Sequence, residues 1–384
     1  MSVGLRSSRI DMLRGISILL VLFHHFNIAY PLKDTVLSAW LGWPVVRAVA
    51  RNGNYGVTIF FAISGFLITS NAIRRWGRLK DIELFRFYAL RAARIVPCVL
   101  LLVCMVGALS SAGVVMFQNR GFGEPALPMW MTSLASLTFW MNVLIERHGW
   151  VNYPLGVLWS LSVEEMFYLS FPVVCLLLRR ERWMCAFWTL FIVAGPLYRF
   201  AHQGDEAGFL YAYLACFDSI AIGCCAAVLA ERGFFSWMEN FRMQVAVVLV
   251  MTLLYLICPI AESNVLGVTV MAASTALLLL GWSTNSVSPG SVSGRTLAAC
   301  GRVSYEIYLF HLIVLGLMRT ALPPQMASSE EKVELMVVYF MLSVVVSLGV
   351  AKLYTEPLNR VVRRWLQSGG RQGNGASHEA EPKT

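Results

Sequence analysis

Eleven apolar runs recur along this chain of 384 residues, at about 13–30, 54–72, 94–116, 130–145, 156–178, 183–199, 209–230, 243–260, 265–282, 303–321 and 335–355. A hydrocarbon layer about 30 Å thick takes roughly 20 helical residues to cross. A backbone in lipid must satisfy its own polar groups, which leaves helices or closed barrels. Runs of this length choose helices. Only 14% of the residues are charged and 57% are hydrophobic, against about 25% charged in soluble domains. The expected fold class is therefore all-α, a polytopic membrane protein.

Charge decides how many runs cross. The fourth run, "WMTSLASLTFWMNVLI", is short and rich in Ser and Thr. If it stays on one side, the inward segments hold 23 of the 31 Lys and Arg residues, including the "RRER" loop. If it crosses, everything downstream inverts. The positive-inside rule selects the first arrangement. Ten transmembrane helices follow, with 130–145 an interfacial or re-entrant helix on the outer side. Both termini are expected in the cytoplasm. Residues 1–365 form one membrane domain, and 366–384, ending "SGGRQGNGASHEAEPKT", read as a disordered cytoplasmic tail. No room is left for a second folded domain, and no internal repeat is visible.

The basic start (Arg6, Arg9) and first apolar run look like a signal peptide, but no small-residue cleavage site follows. The run reads as a retained span. The net charge of +9 does not imply nucleic acid, because the cations sit in loops between spans, where topology puts them. Nine cysteines lie scattered with no CxxC pair, which argues for reduced structural thiols and against a zinc site or disulfide framework.

Ionisable groups inside the spans carry the functional signal, because they usually face a cavity or a partner. In "LRGISILLVLFHH", Arg14 and His25 are eleven residues apart. That spacing puts both on nearly one helix face, about 16 Å apart in depth. Arg14 alone could be a snorkelling anchor. His24 points about 100° away and can be interfacial packing. In "LWSLSVEEMFYLSFP", Glu164 and Glu165 count to about 12 Å below the outer surface, and His25 to about 8 Å. A carboxylate that holds one ring nitrogen makes the other a general base. The competing reading is a structural polar pair. The loop "RRWGRLKDIELFRFYALRAARIVP" has seven cations and two acids. Most suit anionic lipid or topology. Arg91 and Arg94 share a helix face and suit phosphate, which guanidinium binds bidentately; Arg14 can complete that site. Asp218 and His311 fall near mid-membrane as bridging or cavity-lining groups. Gly53, Gly56 and Gly65 permit close helix approach, with Asn54 and Ser64 as polar contacts. Asp11, Trp159, Ser162 and Tyr305 are further candidates for substrate contact or cavity lining.

Taken in order, "RIDMLRGISILLVLFHH", "GVTIFFAISGFLIT", "FRFYALRAARIVPCVLLL", "LWSLSVEEMFYLSFP", "FDSIAIGCCAA", "VSYEIYLFHLIV" and "YTEPLNR" resemble the membrane-bound acyltransferase-3 family over residues 9–362. Met166 stands where many members carry glutamine. The resemblance implies acyl transfer, often acetyl, from acyl-coenzyme A to a hydroxyl, without a metal. It implies a carbohydrate or cell-envelope glycan acceptor, or a macrolide or other small secreted molecule. The setting is the lipid bilayer of a bacterial inner membrane. His25 maps to the family's catalytic histidine, Arg14 to its motif partner, and Arg91 and Arg94 to its arginine motif. Glu165 or Glu164 would orient the imidazole. An acyl-histidine intermediate is the alternative route. Some members carry a carboxy-terminal esterase-like domain; a stand-alone form is expected here. The rival from another class is a transporter or flippase, which also uses intramembrane charges and small residues.

Overall fold

The computed structural model describes residues 7–121, 125–233, 236–282, 291–362 and 364. The expected tail at 366–384 lies outside them. Sixteen α-helices follow one another among the described residues. They are α1 (Ser8–Ala29), α2 (Val36–Leu41), α3 (Trp43–Arg51), α4 (Gly53–Trp76), α5 (Leu84–Ser111), α6 (Met129–Leu137), α7 (Met141–His148) and α8 (Leu158–Leu178). Then come α9 (Glu181–Ala201), α10 (Glu206–Tyr211), α11 (Tyr213–Glu231), α12 (Phe241–Ile257), α13 (Ile260–Trp282), α14 (Val292–Arg302), α15 (Ser304–Ala321) and α16 (Ser329–Val350). No strand occurs among the described residues.

Among the described residues, eight helical segments are long and apolar enough to cross a membrane, and a ninth if α14 and α15, bent by 77° at their junction, count as one span. The run at 243–260 falls on α12, which has 17 residues and spans ~26 Å, shorter than the rest. The run at 130–145 is two helices rather than one. Their 9 and 8 residues reach only about 12–14 Å each, so neither crosses. The outward faces of α9, α12 and α16 carry exposed Leu190, Leu197, Leu253 and Val345. Lipid is the solvent that suits such surfaces. The molecule is a multi-pass membrane protein.

Small residues set the packing. A Cβ on Gly65 of α4 would overlap the Ile220 carbonyl of α11, and one on Gly223 of α11 would overlap the Ala62 carbonyl. On Gly56 it would come 2.8 Å from Ser17 O of α1, and on Gly53 it would strike the His24 ring. Gly15 and Gly301 do the same for α1 and α14. Helices this close gain dispersion contacts, which drive association where lipid removes the hydrophobic force. The helix α4 thus becomes the pillar on which α1, α11 and α13 pack.

One ion pair binds three helices. Arg199 of α9 and Asp218 of α11 are both fully buried, with Nη2 2.7 Å from Oδ2 and Nη1 3.1 Å from Oδ1. Arg199 also donates to Ala215 O, to Val265 O at 3.2 Å and to Thr269 Oγ1 at 2.6 Å, the last two on α13. Asp218 accepts further from Ser219 N at 2.8 Å and Thr269 Oγ1 at 2.7 Å. Of the two readings open for Asp218, the bridging one holds. Asp218→Leu strands a buried guanidinium at a cost of about 3–5 kcal/mol, so the melting temperature in detergent falls. Arg199→Met combined with Asp218→Leu recovers most of it; additive losses in the double variant would show that the two groups act separately.

Candidate active site

Five helices, α1, α4, α5, α8 and α15, enclose an open cavity with about 870 Å³ of empty space, part of it continuous with the exterior. Its polar lining is Arg14, Ser64, Asn71, Arg91, Arg94, Ser160, Glu164, Tyr168, Ser304, Tyr305 and Tyr308. Arg14 is 9% exposed and Arg91 half-buried, whereas Arg94 and Asn71 are exposed. The mouth is therefore at the end where α1 and α5 begin and α4 finishes. Three guanidinium groups thus gather in one apolar-walled space, with the Glu164 carboxylate beside them.

Each cation is positioned by its own helix. The Arg91 guanidinium lies 3.6 Å from the Tyr168 ring centroid, a cation–π contact from α5 to α8. Glu164 and Glu165 lie within its electrostatic reach. Ser64 Oγ donates to Glu164 Oε1 at 2.9 Å, joining α4 to α8. Glu165 Oε1 is buried with no hydrogen-bond partner among the described residues, and Glu165 is outside the cavity lining. Of the two carboxylates, Glu164 lines the cavity and Glu165 does not. Tyr305 donates to Ile95 O at 3.2 Å. Tyr308 closes the far end, donating to Val157 O at 3.1 Å and accepting from Ser160 Oγ at 2.8 Å.

His25 does not meet either glutamate. Its Nδ1 lies 3.0 Å from Val21 O and 3.4 Å from Nε2 of His311. The expected depth match fails for a physical reason. His24 packs on Gly53, whereas Glu164 bonds Ser64. Those positions are eleven residues apart on α4, ~16 Å. Counting from hydropathy edges misplaced α8, because residues 155–163, which lead into it and form its first turns, are buried inside the molecule. Arg14 and His25 do share a face, the one toward α15. Arg14 is in electrostatic contact with Glu306, and His25 touches His311. His25 is absent from the cavity lining, which ends at Tyr308 and Leu309. From Tyr308 the chain of rings continues: its centroid is 5.8 Å from that of His311, which is 5.0 Å from that of His25.

The remaining candidates divide. His24 is a packing group, its Nδ1 2.6 Å from Ala50 O of α3. Ser162 is fully buried, donates to Leu158 O at 2.8 Å and accepts from Met141 N at 3.1 Å. It joins α8 to α7 instead of lining the cavity. Asp11 is buried where α1 meets α14 and is likewise not on the cavity wall. Asn54 and Trp159 line a second, smaller space of about 300 Å³ between α4, α8, α10, α11 and α13. Sequence reasoning passed over Tyr168 and Tyr308. A tyrosine four residues beyond Glu164, or three before His311, was the available signal. Among the described residues no group of three or more His, Cys, Asp or Glu is arranged to hold a metal.

Residues 7–355 match the profile of the acyltransferase-3 family, described as an acyltransferase domain. The chain belongs to that family. Among characterised proteins it is similar to O-acetyltransferase OatA of Staphylococcus aureus, strains NCTC 8325 / PS 47 and COL, at 31% identity over 192 residues in each. The matched stretch is 48% of this chain and 27% of OatA, so the chain spans about a quarter of that relative's length. No solved structure matches it.

Proposed function

We propose that this protein is an integral-membrane O-acyltransferase that moves an acyl group, acetyl foremost, from acyl-coenzyme A to a hydroxyl of a carbohydrate or cell-envelope glycan. The observation that carries the reading is the gathering of Arg14, Arg91 and Arg94 on one cavity in a chain of acyltransferase family. Coenzyme A is a cytosolic anion with several phosphates. The site is the inner membrane with both termini cytoplasmic, the sidedness that the Lys and Arg distribution favours. The cavity mouth at Arg94 then faces the donor's compartment.

In this mechanism the donor's phosphates dock at Arg94, Arg91 and Arg14. The pantetheine arm runs along the Ser64 and Glu164 walls and brings the thioester to Tyr308. The Tyr308 ring turns aside to admit it to the imidazoles. His25 takes the proton of the acceptor hydroxyl as its oxygen attacks the thioester carbonyl. The C–S bond breaks and the departing thiolate takes that proton back. Glu164, held by Ser64 and facing the three arginines, keeps the cation cluster in place instead of orienting the imidazole. No metal takes part in these steps. A small secreted molecule as acceptor leaves every step unchanged.

Membranes supplied with radiolabelled acetyl-coenzyme A test the reading: label enters an acceptor and free thiol appears in equal amount. Flux of label across the membrane without thiol release would instead make the protein a transporter. His25→Ala abolishes transfer, a loss of at least about 10²-fold, with expression and insertion unchanged. Arg91→Lys and Arg94→Gln raise KM for acetyl-coenzyme A about tenfold, with kcat less affected, since each removes a bidentate contact. A reporter fused after residue 362 is active only in its cytoplasmic form; an external signal would overturn the assigned sidedness.

A further inference from the structure

The environment of His25 fixes which ring nitrogen carries its hydrogen. His311 of α15, fully buried, has Nδ1 2.7 Å from Tyr308 O and 3.1 Å from Ile307 O. A carbonyl oxygen only accepts, so that nitrogen is the N–H, and Nε2 of His311 presents a lone pair. That lone pair meets Nδ1 of His25 at 3.4 Å. The second neighbour of the same nitrogen is Val21 O at 3.0 Å, again an acceptor. Nδ1 of His25 is therefore the N–H, and its Nε2 is bare. His25 is half-buried, and among the described residues no hydrogen-bond partner meets its Nε2.

The ionisable groups that face His25 are His311 from α15 and His24 from its own helix. His24 is turned edge-on, 5.3 Å between centroids, with Nδ1 held by Ala50 O. At this level α4 contributes Gly53, which carries no charge. The carboxylates of α8 are engaged with Ser64 and Arg91. Where a catalytic imidazole elsewhere is oriented by a carboxylate, this one has a second imidazole.

We propose that His311 is the positioning residue for His25. Together with Val21 O it holds the Nδ1–H tautomer, points the Nε2 lone pair at the acceptor, and accepts the Nδ1–H bond as it strengthens on protonation. The proposal rests on His25 acting as the base. During the step the acceptor O–H bond breaks and its proton moves to His25 Nε2, while the oxygen lone pair forms the ester and the C–S bond breaks. Throughout, Nδ1–H stays on His25 and is shared in a hydrogen bond with Nε2 of His311. The departing thiolate removes the Nε2 proton, and both rings return to their starting tautomers.

Three variants separate the possibilities, each assayed in membranes with radiolabelled acetyl-coenzyme A for thiol release and label transfer, and each checked for melting temperature. His311→Gln keeps an acceptor oxygen near the Nε2 position and holds kcat within about tenfold of the parent. His311→Leu has none, and its kcat falls about 10²–10³-fold while KM for acetyl-coenzyme A stays within about twofold. The acid limb of its pH–rate profile also moves to lower pH, because the imidazolium has lost its acceptor; a merely structural role would leave that limb in place. Near-parent kcat and an unmoved limb in His311→Leu, with His25→Ala inactive, overturn the positioning role and leave the base intact. Equal losses in the Gln and Leu variants overturn it too. Activity in His25→Ala overturns the base, and this proposal with it. If His311→Leu does not accumulate, His311→Gln decides alone, a loss beyond about 10²-fold being the adverse result.

Discussion

A guanidinium group inside an apolar helix bundle must find acceptors, a π face or a ligand, because leaving water unpaired costs several kcal/mol. The arginines of this bundle answer that demand in two ways. Arg199 is closed, with both terminal nitrogens bonded to Asp218, Thr269 and backbone carbonyls of two other helices. It serves as a three-helix clamp. Arg91 rests on a ring face, and Arg94 stands exposed at the cavity mouth. Those groups, with Arg14 behind them, line the cavity, where the proposed function has them meet an anionic donor.

The backbone makes this possible by coming close. Gly65 and Gly223 bring α4 and α11 together, and Gly53 and Gly56 bring α4 against α1. A methyl group at any of these positions would meet a carbonyl, a side chain or backbone of the neighbour and push the helices apart. Because α4 touches α1 on one side and reaches Glu164 of α8 through Ser64, a change at the glycine contacts would be felt at the cavity wall. Packing and site are one construction.

Much of this was legible in the sequence. Nearly every apolar run found its helix, and the Arg14–His25 spacing gave the correct shared face. What escaped had physical causes. The helix α14, a mix of Ser, Gly, Arg and Ala, has no apolar run to announce it, yet Gly301 lets it lie against α1. Depth counted from hydropathy edges failed for Glu164, since α8 starts inside the molecule rather than at the surface. Tyr168 and Tyr308 look like ordinary aromatic residues of a span until their partners, Arg91 and Ser160, are known. His25 and His311 were each singled out, but their contact joins residues 286 apart in sequence, which no local pattern encodes.

The separation of the cations from the imidazole pair has its own logic on the proposed chemistry. A base must hold a proton briefly, and nearby positive charge opposes that. Arg14 and His25 are eleven residues apart on one helix, ~16 Å, with Tyr308, His311 and apolar side chains between the cavity and the ring. Had the arginines been placed beside His25, the charge needed to hold an anionic donor would weaken the group that activates the acceptor. A donor with a long uncharged arm removes the conflict, since its anionic end and its reactive end can occupy different electrostatic surroundings. A neutral imidazole partner suits the inner position as well, because it orients His25 without putting a second formal charge where no solvent would stabilise it.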